Sequence, residues 1–167
     1  TTTRTAGLAS GSLFPIGTTT VTYQVTDGSG NMANCSFTVT VNDTQNPAIS
    51  CPANIVVGND ANQCGAVVNY VAPAGTDNCP GATTARTAGL ASGSLFPLGL
   101  TTVTHQVTDA SGNTAQCSFT VTVNDTQAPS ITCPANVSAF TNAGCTATGV
   151  ALGTPTTSDN CGVASVT

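Results

Sequence analysis

Hydrophobic and polar residues alternate along one stretch that the chain contains twice, at residues 19–43 and 101–125. In the second copy Val103, His105 and Val107 fall on one face of a strand, and the polar residues between them fall on the other. The returning strand alternates in the same way and places on one face Cys117, Phe119, Val121 and Val123. A short segment containing Gly and Asn joins the two strands. The pattern therefore predicts a β-hairpin with one buried face and one solvated face.

The residues between the two hairpins predict further short strands. Three are indicated by the pattern, at 49–57, 64–71 and 82–87. Residues 89–99 predict a connection in which Leu95 and Phe96 plug one end of the core. Six or seven short strands in roughly 80 residues indicate an all-β fold built of tandem immunoglobulin-like β-sandwiches.

The composition agrees with an all-β chain because the charged residues typical of helix surfaces are missing. The 167 residues include no Glu and no Lys but 32 Thr, a residue that favours strands. The net charge is -5 and the isoelectric point is near 4.1. Nucleic acids and anionic membranes attract clustered cations, so neither is expected as a partner. No run of about 18 apolar residues is present, so no membrane insertion is expected for this segment.

The chain repeats itself with a period of 82 residues, which superposes Cys35 on Cys117. This period predicts the C-terminal half of a repeat at 1–46, a complete repeat at 47–128 and the N-terminal half of another at 129–167. Neither half has enough strands to bury its apolar face alone. Two interpretations stay open. The chain is a segment of a long array, or separate subunits complete each other's sandwich head to tail and form a filament.

Eight cysteines recur at one set of spacings, and none belongs to a Cys-x-x-Cys pair. This arrangement favours a disulfide framework over a zinc or redox site, and therefore an extracellular or cell-surface location. Three pairings are possible within each repeat. The favoured bonds are Cys79–Cys117, Cys51–Cys64 and Cys133–Cys145, with Cys161 bonded to the Cys35 of the next half repeat. The first is preferred because both of its cysteines are expected near the end that carries the hairpin loop, and the others follow from it.

Six of the seven aspartates occupy three repeated positions. They are Asp27 and Asp109, Asp77 and Asp159, and Asp43 and Asp125. At one junction between repeats, Asp43 is expected to approach Asp77 and Asp109. At the next, Asp125 is expected to approach Asp159 and the Asp27 of the following unit. Three carboxylates with nearby carbonyl oxygens suit Ca²⁺, the one cofactor expected. The alternative is that these side chains only accept backbone hydrogen bonds in turns.

Several motifs resemble those of the hyalin repeat, or HYR, domain family. In the complete repeat the matching motifs are Ile49-Ser50-Cys51-Pro52-Ala53-Asn54, Asp77-Asn78-Cys79, Gly93-Ser94-Leu95-Phe96-Pro97-Leu98-Gly99, Thr102-Val103-Thr104, Asp109-Ala110-Ser111-Gly112-Asn113 and Cys117-Ser118-Phe119-Thr120-Val121. They occur in order across the repeat, and the flanking halves carry the corresponding pieces. The resemblance implies an immunoglobulin-like module of extracellular and cell-surface proteins, with adhesion and matrix roles. It does not imply an enzyme.

We expect a structural, non-enzymatic extracellular repeat protein that forms a stalk or a head-to-tail filament on a cell surface. The first alternative is an adhesin module that binds carbohydrate or a partner protein. Another is a hydrolase that carries such repeats as accessories. The repeats are nearly identical and hold only five Phe and two Tyr, which favours a spacer over an adhesin.

Two further features bear on chemistry and partners. His105 is the only histidine, and Tyr23 holds the equivalent position in the other copy, so we expect His105 to pack rather than to act as a base. Asn-x-Ser/Thr triplets begin at Asn34, Asn42, Asn124 and Asn136, so an attached glycan is a further candidate.

Overall fold

The computed structural model describes residues 1–142 and 144–166 of the chain. Ala143 and Thr167, both in the predicted segment 129–167, lie outside the described residues. Every regular element of the described residues is a β-strand, which confirms the all-β prediction. In that part of the chain, no helix is long and apolar enough to cross a membrane.

Within residues 1–142 and 144–166, eleven strands follow one another. The first three are β1 (Thr2–Ala6), β2 (Gly17–Thr26) and β3 (Met32–Val41). Six belong to the next part of the chain: β4 (Ile55–Gly58), β5 (Gly65–Val68), β6 (Thr83–Ala88), β7 (Ser94–Pro97), β8 (Gly99–Thr108) and β9 (Thr114–Asn124). The last two are β10 (Ser130–Thr132) and β11 (Thr156–Ser158).

The described chain divides into two compact units. The first consists of Thr1–Ile49, Ala74–Thr84 and Val107–Ala115. The second consists of Ser50–Pro73, Ala85–Gln106 and the residues from Gln116 onward.

In the first unit β1, β2 and β3 form an antiparallel sheet in that order. The β2–β3 pairing runs without a break from Gly17 opposite Val41 to Thr26 opposite Met32, which confirms the first predicted hairpin.

The apolar face of the β1–β3 sheet is only partly covered. Val21 is 2% exposed, and the rings of Tyr23 and Phe37 stack with centroids 6.4 Å apart. Phe37 is nevertheless 52% exposed and Val25 46% exposed. The threonines of the opposite face bond across the strands, as between the hydroxyls of Thr22 and Ser36 at 2.9 Å.

The second unit contains a packed core shared by two sheets. The larger sheet has the order β4-β9-β8-β6, and the smaller one pairs β5 with β7 in antiparallel register. β4 runs parallel to β9, with Ile55 opposite Val121. The core residues, drawn from both sheets, are Ala66, Val68, Phe96, Val103, Phe119, Val121 and Val123. Alternation along the strands thus buries one face of each sheet against the other, as expected for two stacked layers.

The predicted faces of the second hairpin are confirmed, but one connection was wrongly predicted. Val103 and His105 are 0% and 4% exposed, as their shared face requires. The predicted connection at 89–99 contains β7, and its alternation points Phe96 into the core at 0% exposure while Leu95 is 51% exposed. Leu95 therefore does not plug the core, because neighbouring residues of a strand face opposite sides.

In the last segment, β10 and β11 pair antiparallel through Ser130–Ser158, Ile131–Thr157 and Thr132–Thr156. Large apolar side chains of this segment are exposed to solvent. Ile131 is 62% exposed, Leu152 79% and Phe140 95%. These side chains gain little from burial in the structure as it stands.

Candidate functional site

Two clusters of acidic side chains form where an Asp-Asn-Cys turn meets the end of a long strand. We define the first acidic cluster as Asp43, Asp77 and Cys79, and the second as Asp125, Asp159 and Cys161. In each cluster one ligand atom from every residue lies within 4.8 Å of the others. The first cluster is half-buried throughout, whereas Asp125 of the second is exposed.

Local hydrogen bonds hold the first acidic cluster in place. Asp77 Oδ2 accepts a hydrogen bond from the Cys79 backbone N–H at 2.8 Å, which fixes the turn. Asp43 Oδ1 accepts one from the Gln45 N–H at 3.1 Å. The Asn113 side chain donates to the Asp43 carbonyl oxygen at 3.2 Å, so the hairpin loop ties down the strand end that carries Asp43.

Asp109 lies close to this cluster but is committed to its own turn. Asp109 is 6% exposed, and its carboxylate accepts hydrogen bonds from the Ser111 and Asn113 N–H groups at 2.9 and 2.8 Å. Burial acts to raise the pKa of Asp109, but the hydrogen bonds, led by the Asn113 side chain, outweigh it and lower the pKa below its ordinary value. Asp109 therefore stays ionised as the anchor of the hairpin loop.

The acids change the chemistry of the Cys79 thiol. Burial, a hydrogen bond with Asp43 and the charges of Asp43, Asp77 and Asp109 together raise the pKa of Cys79 above its ordinary value. A thiol with a raised pKa carries less thiolate at neutral pH and so reacts more slowly than an ordinary cysteine. The repeated aspartates predicted these clusters without their cysteines, although the Asp-Asn-Cys motif already places each cysteine two residues after its aspartate.

The second acidic cluster repeats this geometry around a bonded sulfur. Asp159 Oδ1 accepts a hydrogen bond from the Cys161 N–H at 2.8 Å, and Asp125 Oδ1 accepts one from the Gln127 N–H at 3.1 Å. The Cys161 sulfur is joined to Cys64. The structure thus brings Asp125 to Asp159, as it brings Asp43 to Asp77.

Asp27, the remaining candidate ligand, closes the loop of the first hairpin. Its Oδ1 accepts hydrogen bonds from the Ser29 and Asn31 N–H groups, both at 2.8 Å, and its Oδ2 accepts one from the Asn31 side chain at 2.9 Å. The Asn31 side chain is the main cause of a lowered Asp27 pKa. These contacts match those of Asp109, its repeat equivalent.

The donor set of each cluster fits part of a calcium site. Ca²⁺ takes six to eight oxygen ligands, and each cluster provides two carboxylates. The third member is a sulfur, which is a soft ligand and unsuited to Ca²⁺. In the second cluster this sulfur is also part of a disulfide. The carboxylates are therefore the only charged ligands that each cluster offers.

The two disulfides of the structure differ from the expected pairs. Cys51 is bonded to Cys117, with Cα atoms 5.6 Å apart, so the expected Cys51–Cys64 and Cys79–Cys117 bonds are wrong. The reason is the parallel pairing of β4 with β9, which sets Ile55 opposite Val121. Cys51 and Cys117 each precede these residues by the same number of positions, so they meet side by side.

The bond between Cys64 and Cys161 also replaces an expected pair. Cys161 was expected to bond the Cys35 of another half repeat, and the structure contradicts this. The Asn160 side chain donates to the Gln63 carbonyl oxygen at 2.6 Å and holds the Asp-Asn-Cys turn beside Cys64. Four cysteines of the described part of the chain carry no disulfide, namely Cys35, Cys79, Cys133 and Cys145. The expected Cys133–Cys145 bond is therefore absent from the described residues.

His105 is a core residue, as its repeat equivalent predicted. Its ring lies 6.5 Å from that of Phe119 in a stacked arrangement and 6.2 Å from that of Tyr70 in an edge contact. Burial, and to a lesser degree the charge of Arg86, lower the pKa of His105. A buried, neutral ring of this kind contributes packing rather than proton transfer.

Comparison with known proteins supports the resemblance noted in the sequence. The HYR domain profile matches residues 1–41 and 42–123. Hyalin of Strongylocentrotus purpuratus is 42% identical over 93% of this chain, and hyalin of Lytechinus variegatus is 34% identical over 93%. The chain spans only 13% and 30% of the lengths of these two relatives.

A third relative is named after other kinds of domain. The sushi, von Willebrand factor type A, EGF and pentraxin domain-containing protein 1 of Rattus norvegicus is 36% identical over 66% of this chain, which spans 3% of that protein. These matches point to an extracellular, adhesion-related repeat and indicate no enzyme family. Because the profile covers most of the sequence and the hyalin similarity covers nearly all of it, the chain belongs to the HYR domain family.

Proposed function

We propose that the chain is a structural segment of an extracellular protein, in which immunoglobulin-like HYR repeats complete each other head to tail as a stalk or filament on a cell surface. The observation that carries the proposal is a difference between equivalent residues of the two hairpins. Phe119 is 2% exposed, whereas its equivalent Phe37 is 52% exposed. Val107 is 0% exposed, whereas its equivalent Val25 is 46% exposed. The apolar face of the first hairpin is therefore largely exposed to solvent, whereas the same face of the second hairpin is buried.

The last segment carries the equivalents of residues that are packed in the core of the complete repeat. Val137 is the equivalent of Ile55, which packs against the core, and it is 51% exposed. With the period of 82 residues Val150 aligns with Val68, which is 4% exposed, and Val150 is 38% exposed. Fully burying one such side chain stabilises by about 1.5–3 kcal/mol. If the two halves joined, both exposed apolar surfaces would be buried by contacts like those that the complete repeat already makes.

The proposal is tested by the association of the full chain with Cys35, Cys79, Cys133 and Cys145 changed to Ser, so that only non-covalent contacts contribute. Sedimentation velocity should show a concentration-dependent series of oligomers. A charge at the open face, Phe37→Asp, should weaken association by about tenfold or more, because a carboxylate would be buried without a partner.

The matched control is Thr38→Asp, which puts the same charge on the opposite, solvated face of β3. This variant should associate like its parent. A parent that stays monomeric at every concentration, or equal loss in both variants, would count against head-to-tail assembly.

We further propose that Ca²⁺ reinforces the junctions through the two acidic clusters. Asp43 and Asp77 would hold the ion in one and Asp125 and Asp159 in the other, where it would offset part of the net charge of -5. The support is the pairing of carboxylates within 4.8 Å, which costs repulsion unless a cation or proton intervenes.

Calorimetry with and without excess chelator tests the calcium proposal. Chelation should lower the melting temperature of the chain, and Asp77→Asn should reduce the size of that shift. The same melting temperature in chelator and in millimolar calcium would show that the clusters act without the ion.

A further inference from the structure

The two disulfides of the structure follow a register that the sequence repeats. Cys51–Cys117 closes a separation of 66 residues within the predicted complete repeat. Cys64–Cys161 closes a separation of 97 residues and joins that repeat to the segment that follows it. One bond is therefore internal to a repeat, and the other links consecutive repeats.

Each of the four unpaired cysteines is the repeat equivalent of a bonded one. With the period of 82 residues, Cys35 matches Cys117, Cys133 matches Cys51 and Cys79 matches Cys161. Cys145 matches Cys64 with a period of 81. Cys35 and Cys133 are therefore equivalent to the two cysteines of the internal bond, and Cys79 and Cys145 to the two cysteines of the linking bond.

The surroundings of Cys79 reproduce those of its bonded equivalent. The Cys79 N–H donates to Asp77 at 2.8 Å, and the Cys161 N–H donates to Asp159 at 2.8 Å. In both turns the side-chain amide of the intervening Asn lies 3.3 Å from the cysteine sulfur. The first acidic cluster therefore presents an unpaired thiol in the setting that holds a bonded sulfur in the second.

Cys35 likewise lies where its equivalent is bonded. It is exposed and borders an open groove with Thr2, Tyr23 and Val25. In the complete repeat the partner of Cys117 is Cys51, which packs against the hydrophobic core. The groove beside Cys35 has no such segment within the described residues.

We infer that a second copy of this chain, docked head to tail, forms two disulfides with the first: Cys133 of one copy with Cys35 of the next, and Cys145 of one copy with Cys79 of the next. The inference rests on the proposed head-to-tail function and adds a covalent link to it. The first bond would close a sandwich shared by two copies, and the second would join that sandwich to the repeat after it. Because the two ends differ, each added copy leaves one donor end and one acceptor end free.

Formation of these bonds needs an oxidant, and a low-molecular-weight disulfide supplies it. A cysteine thiolate attacks the small disulfide and releases one small thiol, leaving a mixed disulfide on the protein. The thiolate of the docked copy then attacks the protein sulfur and releases the second small thiol. Each new bond oxidises two cysteine thiols by two electrons, and the small disulfide takes up both electrons and two protons. Docking holds the reacting sulfurs at high effective concentration.

The test oxidises an equal mixture of ¹⁵N-labelled and unlabelled full chain in a glutathione redox buffer, followed by non-reducing digestion and mass spectrometry. The expected peptides link Cys133 to Cys35 and Cys145 to Cys79. About half of each linked species should contain one labelled and one unlabelled partner, which shows that the bond joins two copies. Four free thiols, a Cys35–Cys79 bond, or linkage of like cysteines would overturn the inference.

Two blocked variants give a second, independent measurement. Cys35→Ser with Cys79→Ser blocks one end, and Cys133→Ser with Cys145→Ser blocks the other. Neither should form covalent oligomers alone, while their mixture should yield a covalent dimer of twice the 16.4 kDa chain mass. A mixture without this dimer would contradict the assigned pairs.

The chain with all four serines separates the two hypotheses. If it associates while the wild-type cysteines stay free under the same oxidant, the disulfide assignment is wrong and head-to-tail assembly stands. If it fails to associate and no linked peptides form from the wild type, both are wrong.

Discussion

His105 shows how one buried residue makes the stability of the second unit depend on pH. The imidazole is 4% exposed, and its pKa is lowered by burial and by the charge of Arg86. Its neighbour Tyr70 fixes the same part of the core by donating its hydroxyl to the Leu90 carbonyl at 2.7 Å. The environment is thus arranged for a neutral ring, and a proton on that ring is unfavourable.

The consequence is a loss of stability in mild acid. The unfolded chain binds a proton at His105 as the pH falls through about 6.5, while the folded chain resists it, so the unfolded state binds more protons in that range. The free energy of unfolding should therefore be highest above this pH and decrease as the pH falls below it. Urea titrations at several pH values between about 7.5 and 5 measure the slope.

A matched variant isolates the histidine. His105→Tyr keeps an aromatic ring and copies Tyr23, the residue at the equivalent place in the first hairpin. In this variant the contribution of His105 to the change in the free energy of unfolding between about pH 6.5 and 5 should be absent. Equal slopes in both proteins would assign the acid sensitivity to other groups.

At the scale of elements, the turn that follows β6 depends on one glycine. The Arg86 side chain donates to the Gly89 carbonyl oxygen, and Arg4 makes the equivalent bond to Gly7 in the first unit. Gly89 has φ of +79°, and a Cβ atom there would lie 2.4 Å from the Thr102 carbonyl oxygen. Both the backbone conformation and the contact with β8 exclude a side chain.

Alanine at Gly89 should therefore lower the free energy of unfolding more than alanine at a glycine that also has a positive φ but has free space where the Cβ atom would lie. Gly99 has φ of +90° and no neighbouring atom within 4 Å of a built Cβ. Gly99→Ala should cost about 1–2 kcal/mol for the backbone alone, whereas Gly89→Ala should cost about 3 kcal/mol or more because of the added clash. Urea denaturation measures both, and equal costs would refute the role of the contact.

The elements also show why the sequence predicted some strands and not others. The β8–β9 hairpin was predictable because alternation and turn residues are local signals, and Val103 and Phe119 face the core as expected. β7 is four residues long and ends in Pro97, so its alternation was too brief to recognise. The parallel pairing of β4 with β9 joins residues far apart in sequence, and no local pattern encodes it.

The candidate site was predictable to a similar extent. The repeated aspartates indicated that strand ends and turns meet, and the structure brings Asp43 to Asp77 and Asp125 to Asp159. The disulfide pairs were not predictable, because the Cys51–Cys117 bond depends on the long-range β4–β9 register. The predicted domain bounds, the calcium ion and the partner copy remain predictions.

For the whole molecule, the Cys51–Cys117 bond should be a main source of stability. It closes a separation of 66 residues, and the chain-entropy argument assigns to a loop of this length about 4 kcal/mol. Replacing both cysteines with Ala should lower the free energy of unfolding by about that amount, measured by urea denaturation of the full chain. The change is made in the chain with Cys35, Cys79, Cys133 and Cys145 already changed to Ser, which is itself the control because it keeps the Cys51–Cys117 bond and forms no disulfide with another copy. A double variant as stable as this control would contradict the prediction.

The Cys64–Cys161 bond has a mechanical consequence for any load carried along the chain. If every strand between Cys51 and Cys161 came apart, the force would still pass through the shortest covalent path, which runs from Cys51 to Cys64 and then across the disulfide. That path contains about 13 residues and extends to about 45 Å, whereas the unbonded segment of about 110 residues would extend to about 380 Å. With the Cys64–Cys161 bond reduced, the path would cross the Cys51–Cys117 bond and follow about 44 residues, which extend to about 150 Å. The two overlapping loops thus restrict this stretch in two stages, and the full length is released only when both bonds are reduced.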